Sequence, residues 1–526
     1  MDANRACFMT VLVLAASLAA LAAAPPPAPQ DSSQPPSVSE TLFLLQQKLD
    51  SERYAEGLAL SERALTLWPK HPDVLYAQAL CLVGLHRTKE AAAKLEALAE
   101  KHPDRIEFRF KQADCLLSTG DVAEALQLWA AFFSDPGWGE VAYSHSVKAL
   151  LASGREDEAR ALVDEGQRKL GRASEDLLRY GLDLERDGRK GLAILERLKL
   201  FDPQDQKGYG ALSKLYAAVG DGALYVEEAP APGTVIPLEN VTDPREGSTL
   251  GLAGGDAFFI REPAAPVLSV PVSIGGARPE WMMLDSGSPL VFLSPLLADR
   301  LGLKPIATAH YGGMGREGVQ ESQWVLVPEL KVGPVAFRNV PAVLVSRKSD
   351  FWSVTPGIIP LSLLRRHAVV YDPAAPSLTL FPSGTPAAEA LGYNAFPVKS
   401  LWPKGCPFMQ VKIQGRDGLL GLADTGSFST LIAQGLSPVL AVQSTVPQFM
   451  IPYRSGLSGT FSFALTRDVK FCFGRECTRL TTVQVTPIGL QYGIPCAAIM
   501  GRNILDRFQI LFDYRQNALY FKPRER

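Results

Sequence analysis

Two aspartates stand in the same short setting, and paired carboxylates are a recurring device for acid–base chemistry. Asp285-Ser286-Gly287-Ser288 lies downstream of Val272-Ser273-Ile274-Gly275-Gly276. Asp424-Thr425-Gly426-Ser427 lies downstream of Val411-Lys412-Ile413-Gln414-Gly415, with every member at an offset of 139. Further on, Gly315 and Gly318 match Gly456 and Gly459, and Ile358-Ile359 and Asp372 match Ile499-Met500 and Asp513, all at an offset of 141. A duplicated unit with one two-residue gap is the simplest source of this register. Two carboxylates held face to face cannot both ionise, so such a pair shares a proton. The ionised member can take a proton from water while the protonated member polarises a carbonyl. That is hydrolytic chemistry needing neither a metal nor a nucleophilic side chain.

These motifs resemble the pepsin and retropepsin class of aspartic peptidases, over residues 266 to 523. The resemblance implies one Asp-Thr/Ser-Gly loop per β-lobe, with Asp285 and Asp424 as the catalytic pair and an extended peptide or protein as substrate. It implies that Ser286 and Thr425 bond across to the opposite loop. Gly287 and Gly426 are expected to shape the loops and expose amides to the carboxylates, and the Ser288 and Ser427 hydroxyls to bond them. A Gly-bearing flap is implied at Tyr311-Gly312-Gly313-Met314-Gly315, with a counterpart around Tyr453 and Gly456. The short distance between the aspartates fits tandem retropepsin-like lobes better than a typical pepsin. Copy two carries the family's apolar pair plus Gly as Ile499-Met500-Gly501. Copy one has Pro360 where the family has Gly, and proline's fixed φ and missing N–H predict a different turn there.

Other chemistries lack residues. No phosphate-cradling Gly-rich loop precedes a helix, so no cofactor is expected, and no Cys or His spacing suggests a metal site. His367 aligns with Phe508 and is expected to pack rather than react; Asp372 and Asp513 are expected to be structural. Four cysteines fall near the C-terminus, and four allow three connectivities. Cys472 and Cys477 flank Phe473-Gly474-Arg475-Glu476, which reads as a four-residue hairpin loop that would bring them together. Cys406–Cys496 is expected as the remaining bond.

The elements that present this unit begin earlier. Residues 40 to 225 are rich in Ala, Leu, Glu and Arg with helical periodicity. Gly57, Ala91, Ala125, Ala159 and Ala193 recur with a period of 34, as do Gly120, Gly154, Gly188 and Gly222, and Pro69 with Pro103. Small residues at this period mark close helix crossings, and the glycines mark turns where left-handed backbone is cheap. The pattern resembles the tetratricopeptide repeat, with about five units. Cys81 and Cys115 share this period and are expected to be buried packing positions. Such arrays bind peptides or protein partners and make mostly neighbour contacts, so a fragment beginning near Val267 is expected to fold alone.

Arg5 followed by an apolar stretch from Phe8 to Ala24 resembles a secretory signal, with Ala20-Leu21-Ala22 as a cleavage site and an uncleaved anchor as the alternative. The expected organisation is a signal at 1–24, a Pro-rich linker at 25–39, helical repeats at 40–225, a linker at 226–265, and peptidase lobes at 266–385 and 386–526. No membrane span is expected after signal removal, and the destination is periplasmic or secreted. With 53 basic and 55 acidic residues and a net charge of −2, a nucleic-acid partner is not expected. The fold class is an all-α solenoid followed by an all-β bilobal unit. The alternative function is a non-catalytic scaffold that holds peptides in a peptidase-like unit.

Overall fold

The computed structural model describes residues 37–241, 266–312, 319–345, 355–392, 394–440, 451–455, 459–486 and 488–524. The expectations for the first 36 residues, and for Gly313, Gly315 and Gly456, lie outside the described residues.

From Val38 to Val219 the chain is helical. It runs through α1 (Val38–Asp50), α2 (Tyr54–Leu67), α3 (Pro72–Gly84), α4 (Thr88–Lys101), α5 (Ile106–Ser118) and α6 (Val122–Ala130). It continues through α7 (Gly139–Ala152), α8 (Glu156–Lys169), α9 (Glu175–Leu184), α10 (Gly188–Lys199) and α11 (Tyr209–Val219). Local chemistry sets these limits. Ser37 and Glu40 form a reciprocal capping box at the start of α1. Pro72 opens α3, where its missing N–H leaves no bond unmade. Pro69 and Pro103 follow the ends of α2 and α4.

The repeat turns share one backbone device. Glu52, His86, Gly120 and Gly154, one period apart in turn, all have φ between 54° and 81°. Glycine takes up this left-handed form freely, and the two earlier repeats manage with Glu and His. The period then breaks. Helices α2, α4, α6 and α8 begin at Tyr54, Thr88, Val122 and Glu156, a step of 34 each time. The next step is only 32, to Gly188 at the start of α10, with Asp187 as its N-cap. Gly188 is therefore a helical residue, not a turn. Ala193 is exposed rather than buried with Ala91, Ala125 and Ala159. Gly191 takes over the close crossing, since a Cβ there would lie 2.1 Å from the Tyr216 ring. Cys81 and Cys115 are buried free thiols, as their shared position suggests; burial pushes both up to about 12.

The β half is duplicated in three dimensions. In the first copy Val267–Ile274 pairs with Glu280–Asp285, which runs parallel to Gly357–Pro360. In the second, Phe408–Ile413 pairs with Arg416–Ala423, which runs parallel to Ala498–Met500. The equivalent pairs Ile358 with Met283 and Ile499 with Leu422 preserve the offsets of the sequence. The two copies meet in a shared sheet, where His367–Asp372 pairs antiparallel with Phe508–Asp513. The expected linker is partly built into this body: Val226–Glu228 pairs with Val335–Leu344, Thr234–Pro237 with Ser377–Pro382, and Glu239–Val241 with Val267–Ile274.

His367 opens its strand as Phe508 does, yet it does not pack as an apolar residue. Its Nε2 meets the carboxylate of Glu227, a nearly inaccessible group supplied by the expected linker. Asp372 accepts the amides of Ala374 and Ala375, and Asp513 accepts from Ser383 and Gly384. Both aspartates close turns.

The array does not stand apart. Phe110, Ala113, Trp129, Ala142 and Ala149 share one buried apolar cluster with Leu401, Phe408, Leu420, Leu422, Leu431 and Ile499 of the second lobe. Successive repeat turns also offer their carbonyls to that lobe. Leu85 accepts from Arg416 (3.2 Å), Thr119 from Gln410 (2.7 Å), and Ala152 from the Trp402 amide (2.6 Å). This reverses the expectation that the array touches little beyond its own neighbours. Among the described residues no helix is long and apolar enough to cross a membrane.

Candidate active site

Asp285 ends the strand Glu280–Asp285, and Asp424 follows the strand Arg416–Ala423, so duplicated strands deliver both carboxyls to one point. Below them the loops lock together. Thr425 Oγ1 accepts the Ser286 amide and donates to the Leu284 carbonyl, both at 3.0 Å. Ser286 Oγ accepts the Thr425 amide at 2.9 Å and donates to the Ala423 carbonyl at 2.7 Å. Both side chains are fully buried, and all four bonds obey the internal two-fold. Each hydroxyl both donates and accepts, which holds the two loops in a fixed relation.

Gly287 N donates to Asp285 Oδ1 (2.7 Å) and Gly426 N to Asp424 Oδ1 (2.8 Å). Neither glycine needs left-handed backbone. Each is required by crowding instead, because a Cβ on Gly287 would lie 2.8 Å from Asp424 Cγ, and one on Gly426 2.6 Å from Asp285 Cγ. Ser288 and Ser427 help differently from expectation. Their hydroxyls turn away to the carbonyls of Leu290 and Ser429, and it is their amides that reach the carboxylates.

The electrostatics separate the pair. Burial, and then the charge of Asp424, push Asp285 well above the carboxylate range, against the amides of Gly287 and Ser288. Burial also raises Asp424, but the hydrogen bond from Asp285 and the amides of Gly426 and Ser427 oppose that rise. One proton shared by the pair is the state this arrangement favours.

Pro360 alters the turn as its chemistry suggests, though modestly. It has φ −67° and ψ 135° before a 3-10 turn, and Gly501 has φ −80° and ψ 177° before an α-helical one. The partner differs too. Gly501 N donates to Thr430 Oγ1 (3.1 Å), whereas the residue equivalent to Thr430 in lobe one is Val291, which has no acceptor to leave unmet.

The cysteines divide. Cys472 and Cys477 are bonded, opposite one another across a two-residue turn rather than a four-residue one. Cys406 and Cys496 are both free and buried, so the expected second bond is absent. Cys496 occupies the place of Thr355. Thr355 Oγ1 accepts the Met283 amide and donates to the Gly357 carbonyl; Cys496 Sγ accepts the equivalent Leu422 amide and donates to the Ala498 carbonyl. Cys406 Sγ points to the Gly287 carbonyl at 3.4 Å. That carbonyl also accepts from the Tyr492 hydroxyl at 2.6 Å, a contact that sequence reasoning misses. The only signal for it is Tyr-Gly in a short turn just before Cys496.

The flap candidates fall on hairpins. Ala307–Gly312 pairs with Val319–Val332, placing Tyr311 opposite Gln320, and Ile451–Ser455 pairs with Gly459–Phe473, placing Tyr453 opposite Phe461. The side chains of Tyr311 and Tyr453 lie outside the described residues. Among the described residues no group of His, Cys, Asp and Glu is arranged to hold a metal ion.

Residues 270–359 match the aspartyl protease family, and residues 48–109 match the tetratricopeptide repeat family. No curated protein matches the chain. Among solved structures, the aspartic proteinase from Irpex lacteus is similar at 15% identity, over 49% of this chain and 94% of that one, with a TM-score of 0.32. A score that low adds no weight to the family match. A region that matches tetratricopeptide repeats is thus followed by a β region whose first lobe matches the aspartyl protease family.

Proposed function

We propose that this protein is an aspartic endopeptidase that hydrolyses peptide bonds with a water activated by Asp285 and Asp424. The observation that carries the reading is the pair itself. Two carboxyls on two-fold related loops face each other, burial raises both, and the charge of Asp424 adds to the rise of Asp285. Asp424, ionised, accepts a proton from the attacking water. Asp285, protonated, donates to the scissile carbonyl and stabilises the oxyanion as it forms. The proton gained by Asp424 then serves the leaving nitrogen, which returns the pair to its starting state.

The substrate is an extended peptide lying between the lobes. Pro360 departs from the family pattern and would favour a non-catalytic scaffold if it displaced the loop, but the strand it ends still pairs in register with the strand carrying Asp285. We also infer that the protein is exported, on the strength of the apolar stretch from Phe8 to Ala24. The repeats engage the chain's own second lobe, and any outside protein partner would use the faces this leaves open.

The test is cleavage of a peptide library by purified protein across a range of pH. Asp285→Asn and Asp424→Asn should each lose nearly as much turnover as the double variant, since groups acting as one unit are not additive. The wild-type rate should be bell-shaped in pH, reporting two values that belong to the pair. Undiminished cleavage by either single variant would sink the shared-proton mechanism. Wild-type protein that binds peptides and never cuts them would return the scaffold reading.

A further inference from the structure

One short hairpin connects the repeat array to the dyad loop of lobe one. Leu490–Gln491 pairs antiparallel with Ile494–Pro495, leaving Tyr492 and Gly493 as a two-residue turn. Both have left-handed backbone, with φ of 51° and 74°. Glycine takes this form freely, but for an L-residue with a bulky side chain it costs on the order of 1–2 kcal/mol. Such a conformation persists only where the surroundings over-determine it.

Those surroundings come from both halves of the chain. Ile494 is buried in the apolar cluster that the array shares with the second lobe. Lys148 of α7 donates to the Gly493 carbonyl at 2.9 Å. It sits so close that a Cβ on Gly493 would lie 2.6 Å from its Nζ. The Tyr492 ring meets Phe408 edge-on, 6.5 Å between centroids, and its hydroxyl donates to the Gly287 carbonyl.

That carbonyl belongs to the peptide joining Gly287 to Ser288, whose N–H lies on the Asp285 side and favours its ionised form. A peptide group is a rigid plane, so a bond fixing its oxygen also aims its N–H. Hydrogen bonds in series strengthen one another, so a carbonyl that accepts makes its own N–H a better donor. We propose, building on the peptidase reading above, that Tyr492 is a positioning residue for Asp285 acting through the Gly287–Ser288 peptide, and that Lys148 of the repeat array holds Tyr492 in place. The array thereby takes part in setting the dyad, in addition to any binding it performs.

The direction of the effect follows from charge. A well-aimed amide favours the ionised carboxyl, so losing the tyrosine hydroxyl should make the pair harder to ionise. Among the described residues, the other titratable groups that bear on Asp285 are Asp424, Cys406 and Tyr514, and Cys496 bears on Asp424. Burial keeps the two thiols and the Tyr514 hydroxyl protonated over the acid range, so they remain a constant background there.

The experiment is the pH profile of kcat/KM for full-length wild type, Tyr492→Phe and Lys148→Met. Phenylalanine keeps the ring against Phe408, and methionine keeps the stem of the lysine. We expect the acid limb to move up by about half a pH unit in Tyr492→Phe, about a threefold loss of rate on the acid side, and by less in Lys148→Met. A merely structural contribution would scale the rate equally at every pH and leave the limb where it was. An unmoved limb in Tyr492→Phe overturns the proposal. Selective 13C labelling of aspartate carboxyls, with Asp285→Asn assigning the signal, reads the same titration without turnover. If wild type never cleaves, the peptidase reading falls, and this signal alone decides: a shift caused by Tyr492→Phe supports the positioning, and an unshifted titration refutes it.

Discussion

At the residue scale the two lobes differ in matched pairs. Thr430 and Gly501 form a donor–acceptor bond in lobe two, and Val291 and Pro360 replace both partners in lobe one with groups that need none. Changing both partners together avoids leaving a buried polar group unmet, which costs more than the bond itself contributes. Thr430→Val should therefore destabilise the protein by about 1–3 kcal/mol, since it strands the Gly501 amide with an apolar neighbour of nearly the same shape. Chemical denaturation can check this, and a change within error would show that the amide has another acceptor. The same two-fold explains what the sequence left unread. Asp285, Asp424, Ser286 and Thr425 were legible because identical or similar residues recur at one offset. Cys496 was not, because it keeps the hydrogen bonds of Thr355 with a different atom, and four cysteines within one lobe suggest two bonds first. At the same offset Tyr492 falls on Phe351, which has no hydroxyl, so the duplication pointed to a ring there and not to a hydrogen bond.

At the element scale the array shows how far a period can be trusted. Four helix starts keep a period of 34, and the fifth comes early by two. A column of small residues counted at that period therefore selects Ala193, which faces solvent, and misses Gly191, which lies under Tyr216. Nothing in the letters flags the slip, because both positions carry small residues. The consequence is testable. Gly191→Ala gains helix propensity of up to about 1 kcal/mol, yet it should lower stability by about 1–3 kcal/mol, because the methyl forces the Tyr216 ring aside. Ala193→Gln should change stability by less than about 0.5 kcal/mol, as exposed substitutions do. The reverse ranking would put the close crossing at Ala193 after all. The hairpin carrying Cys472 and Cys477 shows the complementary case: proximity was legible from the spacing, but the turn length depends on strand pairing, and Phe473 pairs with Glu476.

At the scale of the whole molecule, two regions of contrasting composition form one body. The boundary expected at 225 coincides with a change from helix to strand between Val219 and Val226, but composition cannot say whether a solenoid's surface is bare or covered. Ion pairs such as Lys399–Asp121 and Lys89–Asp417 cross the contact, but they are exposed and contribute little. The apolar cluster built from Phe110, Trp129, Phe408, Leu420 and Ile499 contributes more, supported by the hydrogen bonds to the repeat turns. Burying a side chain of this size contributes about 1.5–3 kcal/mol relative to exposure, and several are removed from water together. A fragment beginning at Val267 would lose the array and also the strands at 226–241 that pair with lobe one. It should expose a contiguous apolar face, aggregate on purification and bind a hydrophobic dye, as large bare patches do. Supplying residues 37–241 as a second chain in the same cell should recover soluble protein containing both pieces. A monomeric fragment from Val267 with a cooperative thermal transition and undiminished cleavage would refute the shared core. It would also sever the route from Lys148 to the dyad, since that fragment would hold Tyr492 in place without the array.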